Sequence, residues 1–135
     1  FSKYRLMMTS EIPTPERVNG VKRLINATRY SWQGLLATVK HEEAFRQELL
    51  LLTAALVATP WLAQSWFHAI ALVGSVILIL IVEMLNSAIE ALVDRVGLEF
   101  NELSGRAKDM GSAAVFLSIS LAGMVWLVSL TQRLL

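Results

Sequence analysis

The sequence predicts an all-α integral membrane protein, with an amphipathic surface helix followed by three membrane-spanning helices. Three observations carry that expectation. Residues 49–82 contain no Asp, Glu, Lys or Arg, and neither do residues 110–132. The hydrophobic fraction is 55% over 135 residues and the mean hydropathy is +0.54, both high for a water-soluble domain. The charges gather instead in residues 1–48 and 83–109, whereas a soluble bundle needs charge on the outer face of every helix. The length suits one domain, expected over 17–135, behind a flexible leader of residues 1–16 with Pro13 and Pro15. With no Cys, neither disulfides nor a Cys metal site can be argued. No apolar signal-peptide core follows Lys3 and Arg5.

The first element spans about 18–40. Val21, Leu24, Ile25, Thr28, Trp32, Leu35, Leu36 and Val39 recur at helical spacing, with Arg17, Lys22, Arg23, Arg29 and Lys40 on the remainder. A basic amphipathic helix with Tyr30 and Trp32 suits a membrane surface, cations toward anionic headgroups. A soluble helix packed on a partner is the alternative. The first span is expected at about 44–63. Glu42, Arg46, Gln47 and Glu48 sit in its N-terminal turns near one interface, and Pro60, Trp61 and Trp66 mark the other. Ala63-Gln64-Ser65 is a tight uncharged turn.

The second span begins at Trp66, and its helical pattern runs on to Val96. At 1.5 Å per residue that element is about 45 Å long, more than a bilayer core, so its second half emerges or lines a cavity. Gly97 is a plausible stop. Residues 98–110 read as a polar connector, and the third span is expected over about 104–131, apolar from 112 to 130. Lys and Arg concentrate before the first span and in the connector, while the 63–65 turn carries none. The positive-inside rule then puts the N-terminus and the connector in the cytoplasm and the C-terminus outside.

Candidate chemistry lies where the second span ends. On a helix, Glu83, Asn86, Ser87, Glu90 and Asp94 share one stripe, and Leu85, Ala88, Ile89, Leu92 and Val96 the opposite one. Burying carboxylates and an amide is costly unless a metal, a proton or a partner compensates. Glu83 directly terminates the uncharged stretch, where a carboxylate could take a proton from an alcohol whose tails lie in lipid. Glu42 and Glu90 could hold a metal from two helices, since Mg²⁺ takes one or two carboxylates plus substrate phosphates. Lys108, Arg23 and Arg29 are available cations. Plainer readings stand beside these. Asp94 suits a solvated helix face, Glu42 with Arg46 a surface ion pair, and Asn86 an interhelical hydrogen bond. His68 has no second His to share a metal. Neither a P-loop nor a protein-kinase motif set is present.

Two segments are specific. They are Glu83-Met84-Leu85-Asn86-Ser87-Ala88-Ile89-Glu90 and Glu102-Leu103-Ser104-Gly105-Arg106-Ala107-Lys108-Asp109-Met110-Gly111-Ser112-Ala113-Ala114-Val115. With Tyr30-Ser31-Trp32 and Ala44-Phe45-Arg46-Gln47-Glu48, they closely resemble the bacterial integral-membrane diacylglycerol kinase family, from about Val21 to the end. The resemblance implies a homotrimeric helical bundle of three-span subunits in the inner membrane, with composite sites between subunits. It implies transfer of the γ-phosphoryl of MgATP to diacylglycerol, giving phosphatidic acid and ADP, with Mg²⁺ as cofactor and no nucleic-acid partner. By match, Glu83 would be the general base, and Glu42 and Glu90 would hold the metal and through it ATP. Asn86 would order that site. Lys108 and Asp109 would contact the nucleotide, as would Arg23, Tyr30 and Glu99-Phe100-Asn101. Lipid would lie against Arg23, Trp32, Ala44, Phe45, Arg46, Gln47, Glu48, Glu83 and Ser112.

Other functions compete with that expectation. A close variant is an undecaprenol kinase. A small proton or ion transporter would use Glu83 and Glu90 as relay carboxylates, but such acids belong near mid-membrane rather than beside a basic loop. A purely structural scaffold gives no reason for the acidic stripe.

Overall fold

The structure, a computed structural model, describes residues 19–135. The leader 1–16, Arg17 and the expected helix start at Val18 lie outside the described residues. Four helices follow: α1 (Gly20–His41), α2 (Glu43–Leu62), α3 (Trp66–Val96) and α4 (Glu102–Leu134), with no strand among the described residues. The chain divides into two units after Gly34. In the described part of the first, the Asn19 Oδ1 caps α1 by accepting the Lys22 N–H at 3.0 Å. None of its residues is buried, and the Arg29 guanidinium lies 5.4 Å from the Tyr30 ring centroid.

The second unit holds the end of α1 together with α2, α3 and α4. The Arg46 guanidinium donates to the carbonyls of Val39 and Lys40 at 2.9 and 3.3 Å, satisfying the open end of α1 as the chain turns into α2. α3 is the central helix, packing extensively on α4 and on α2, which themselves meet only lightly. Side-chain bonds fix α3 and α4 as an antiparallel pair. His68 meets Ser129, Trp126 Nε1 donates to the Leu72 carbonyl at 3.1 Å, and Lys108 meets Asp94 at 2.7 Å. The partners step in opposite directions along the two helices. Gly97 ends α3, its N–H bonding the Val93 carbonyl at 3.3 Å.

The polar connector is shorter than its composition suggests. It covers 97–101 rather than 98–110, and α4 starts at Glu102 instead of about 104. The Asn101 Oδ1 accepts the Ser104 N–H at 3.1 Å, and Glu102 adds negative charge to the first turn. Arg106, Ala107 and Lys108 are good helix formers, so polarity there marks a wet helix face.

The interior mixes polar with apolar side chains, and much of the apolar surface lies outside, unlike a soluble bundle. Glu83, Asn86 and Ser87 are each only 8% exposed, and Thr59, Ser75, Ser118 and Ser129 are also buried. The apolar stripe of α3 faces out, with Leu92 67% exposed, and Phe67 near its start is 86% exposed. In water that arrangement forfeits the hydrophobic driving force, whereas lipid solvates the apolar face. The hydroxyls of Thr59, Ser75, Ser118 and Ser129 donate to carbonyls of their own helices, as apolar surroundings favour. α3 and α4 are each long and apolar enough to cross a membrane. α2 is not among them, because Glu43, Arg46 and Glu48 occupy its first two turns.

Candidate active site

The acidic end of α3 gathers the site. Glu83, Asn86 and Ser87 occupy successive inward positions one turn or less apart, and Glu90, half-buried, follows one turn further. The Asn86 Nδ2 donates to the Glu90 Oε1 at 3.2 Å, so amide and carboxylate form a pair along the stripe. Three buried atoms nearby lack hydrogen-bond partners among the described residues: Asn86 Oδ1, Ser87 Oγ and Glu48 Oε2. Unpaired buried acceptors of this kind are costly, so their grouping marks a site built for something else to complete.

Four carboxylates share this environment. The charges of Glu90 and Glu42 both act on Glu83, and that of Glu83 acts on Glu48. Like charges crowded where water is scarce call for a cation or a proton. Glu42 occupies the N-cap position of α2 without using its carboxylate as a cap, leaving that group free for another partner. No group of three or more acidic or His side chains among the described residues is arranged to hold a metal alone. Two hard oxygen donors that leave most positions open still fit Mg²⁺, which takes its remaining ligands from phosphate and water.

The opposite helix supplies the basic side. Lys108 Nζ lies 2.7 Å from the Asp94 carboxylate, both groups about half exposed. Asp94, read as a solvated residue, is thus the partner of the expected phosphate-neutralising lysine. Glu99, Phe100 and Asn101 lie in the connector and line, with Asp94 and Lys108, a groove of about 210 Å³. Asp109 and Ser112 are exposed on α4.

Among the residues expected against lipid, Ala44, Arg46 and Gln47 are exposed and Glu48 is half-buried. Phe45 differs. At 1% exposure it is turned into the bundle, as the large apolar side chain of a turn otherwise made of Glu43, Ala44, Arg46 and Gln47. Arg23, Tyr30 and Trp32 are exposed on α1 and belong to the first unit.

Two features escaped sequence reasoning. Glu48, expected near one interface and against lipid, also points a partnerless carboxylate oxygen into the bundle, which the spacing did not signal. His68 is a structural clasp. The Gln64 N–H donates to Nδ1 at 3.2 Å, so Nε2 carries the proton and donates to Ser129 Oγ at 2.7 Å. That hydroxyl in turn donates to the Val125 carbonyl. Nothing in the spacing of two residues 61 apart signals such a pair.

A helical membrane protein with a buried acid–amide stripe, opening beside the Lys108 side of α4, is the class these features define. The chain belongs to the prokaryotic diacylglycerol kinase family, whose profile matches residues 29–130. It is 51% identical over 111 residues to a diacylglycerol kinase of Escherichia coli (strain K12), covering 82% of this chain and 91% of that protein. A diacylglycerol kinase of Haemophilus influenzae is 46% identical over 110 residues, covering 82% and 93% of the two chains. One from Pseudomonas aeruginosa is 48% identical over 108 residues, covering 79% and 87%.

Proposed function

We propose that this protein transfers the γ-phosphoryl group of MgATP to the free hydroxyl of diacylglycerol, giving phosphatidic acid and ADP. The observation that carries the reading is the Glu83–Asn86–Glu90 stripe, buried at Glu83 and Asn86 and half-buried at Glu90, where an apolar span ends in a chain of this family. Glu83 accepts the proton of the lipid hydroxyl as that oxygen attacks the γ-phosphorus, and the bond from the γ-phosphorus to the bridging oxygen breaks to release ADP. Glu42 and Glu90 hold Mg²⁺, which when bound offsets the phosphate charge. Asn86 orients the Glu90 carboxylate. Lys108, Asp109, Arg23, Tyr30 and the 99–101 connector contact the nucleotide. Catalysis then consists of positioning and charge neutralisation, which phosphoryl transfer largely requires.

In this reading α2 is the third span beside α3 and α4, and the cationic α1 lies on the cytoplasmic face of a bacterial inner membrane. The working unit is a homotrimer. An apolar groove of about 370 Å³, lined by Ala54, Ala58, Gly123 and Trp126 among others, offers the small-residue surface on which another helix packs closely. Three helices cover Glu83, Asn86 and Ser87 but leave the outer part of the stripe, Glu90 and Asp94, partly open, and a neighbouring subunit completes it.

The test is Mg²⁺-dependent transfer of labelled phosphate from ATP to short-chain diacylglycerol in mixed micelles, with undecaprenol in parallel and Glu83→Gln as control. Labelling of diacylglycerol, lost in the variant, supports the proposal. Preferential labelling of undecaprenol keeps the chemistry and changes the substrate. No transfer from a folded protein, together with ion flux in ATP-free liposomes, replaces the kinase with a transporter.

A further inference from the structure

Of the seven glycines, Gly111 alone has a neighbour within reach of an added side chain. A Cβ there would lie 3.2 Å from the Asn86 Cγ and would overlap the Asn86 Oδ1. Gly111 is buried in the seam where α4 crosses the acidic end of α3. The Asn86 amide is therefore held from two sides. Its nitrogen donates to Glu90, and its oxygen, without a hydrogen-bond partner among the described residues, rests in space that only a hydrogen atom leaves open.

We infer that Gly111 is a positioning residue for the site, acting through the orientation of the Asn86 amide toward Glu90. The χ2 torsion of Asn has broad, nearly two-fold minima, so the amide needs an outside constraint to present nitrogen rather than oxygen to a carboxylate. A flipped amide would set oxygen against oxygen at Glu90. A methyl group at position 111 evicts Oδ1, and the amide must turn away or the helices must part. The adjoining groove, lined by Leu85, Ile89 and Met110, offers a displaced amide no polar partner. Either response removes the donor that orients Glu90. The inference rests on the proposed use of Glu90 for MgATP, and its test separates the two.

The experiment compares wild type, Gly111→Ala, Asn86→Ala and the double variant in detergent micelles, following thermal unfolding in all four and steady-state kinetics in the first two. Gly111→Ala is expected to raise the KM for MgATP about tenfold or more, the scale of losing a hydrogen bond to a charged group. The KM for diacylglycerol is expected to stay put. Gly111→Ala should also lower the melting temperature, whereas the same change on the Asn86→Ala background should cost nothing, because the overlapping oxygen is gone. An unchanged KM for MgATP, or an equal loss of stability on both backgrounds, overturns the inference. If Gly111→Ala alone fails to fold, recovery of folding in the double variant supports it and failure to recover refutes it. Absence of transfer from wild type overturns the proposed activity, while the stability cycle still decides Gly111.

Discussion

Glu83, Asn86 and Glu90 ask different things of their side chains, and conservative substitutions separate them. Glu83→Gln keeps volume and polarity but removes the proposed base, so transfer should fall by a factor of about 10² to 10⁴, with assembly intact by size-exclusion chromatography. Activity within tenfold of wild type would remove Glu83 from the proton-transfer role. Glu90→Gln removes the charge proposed to hold Mg²⁺ and leaves an amide facing the Asn86 donor. Its effect should appear as a raised requirement for Mg²⁺ and ATP, about tenfold or more, and an unchanged dependence on both would refute the assignment. At this scale the sequence was most informative. Carboxylates at helical spacing beside an uncharged stretch signal burial with a purpose, because the cost of hiding them is large. The Lys108–Asp94 pair and the inward turn of Phe45 were not legible, since each depends on which neighbour the face of a helix meets.

Helix boundaries show what local signals can and cannot reach. The 63–65 turn follows from residues whose effects are local, Pro60 and the Ser65 cap, whose Oγ accepts the His68 N–H at 3.1 Å. The start of α4 was misjudged because a run of Glu, Ser, Arg, Lys and Asp looks like a loop by polarity and like a helix by propensity. Pairing between elements lay beyond either signal, and the His68–Ser129 clasp is the clearest case. It ties the start of α3 to the end of α4, far from the acids. A double-mutant cycle of His68→Ala and Ser129→Ala, read by equilibrium unfolding in detergent, should give a coupling of about 1 kcal/mol. Activity per folded molecule should hold. Additive losses would mean that the two side chains merely sit near each other.

Orientation in the membrane is a property of the whole chain, set by the contrast between its two ends. One end of the second unit carries the acidic stripe, Lys40 and the Lys108 side of α4, whereas the other carries the 63–65 turn, Trp61 and Trp66 with Arg133 stacked 5.4 Å from the Trp61 ring centroid. α3 and α4 are 31 and 33 residues long, about 46 and 50 Å as straight helices. Both exceed the roughly 30 Å hydrocarbon core. The polar inner ends of α3 and α4 therefore extend past the lipid on the side where ATP is found, provided that the basic end is cytoplasmic. The absence of native Cys makes this directly measurable. Single variants Ser65→Cys and Glu99→Cys place one thiol at each end, both at exposed positions. In spheroplasts treated with a membrane-impermeant maleimide, Ser65→Cys should label from outside and Glu99→Cys only after lysis. The reverse pattern would put the acidic stripe on the side without ATP. It would leave the site geometry intact and remove the nucleotide from it, so the kinase reading depends on this orientation as much as on any carboxylate.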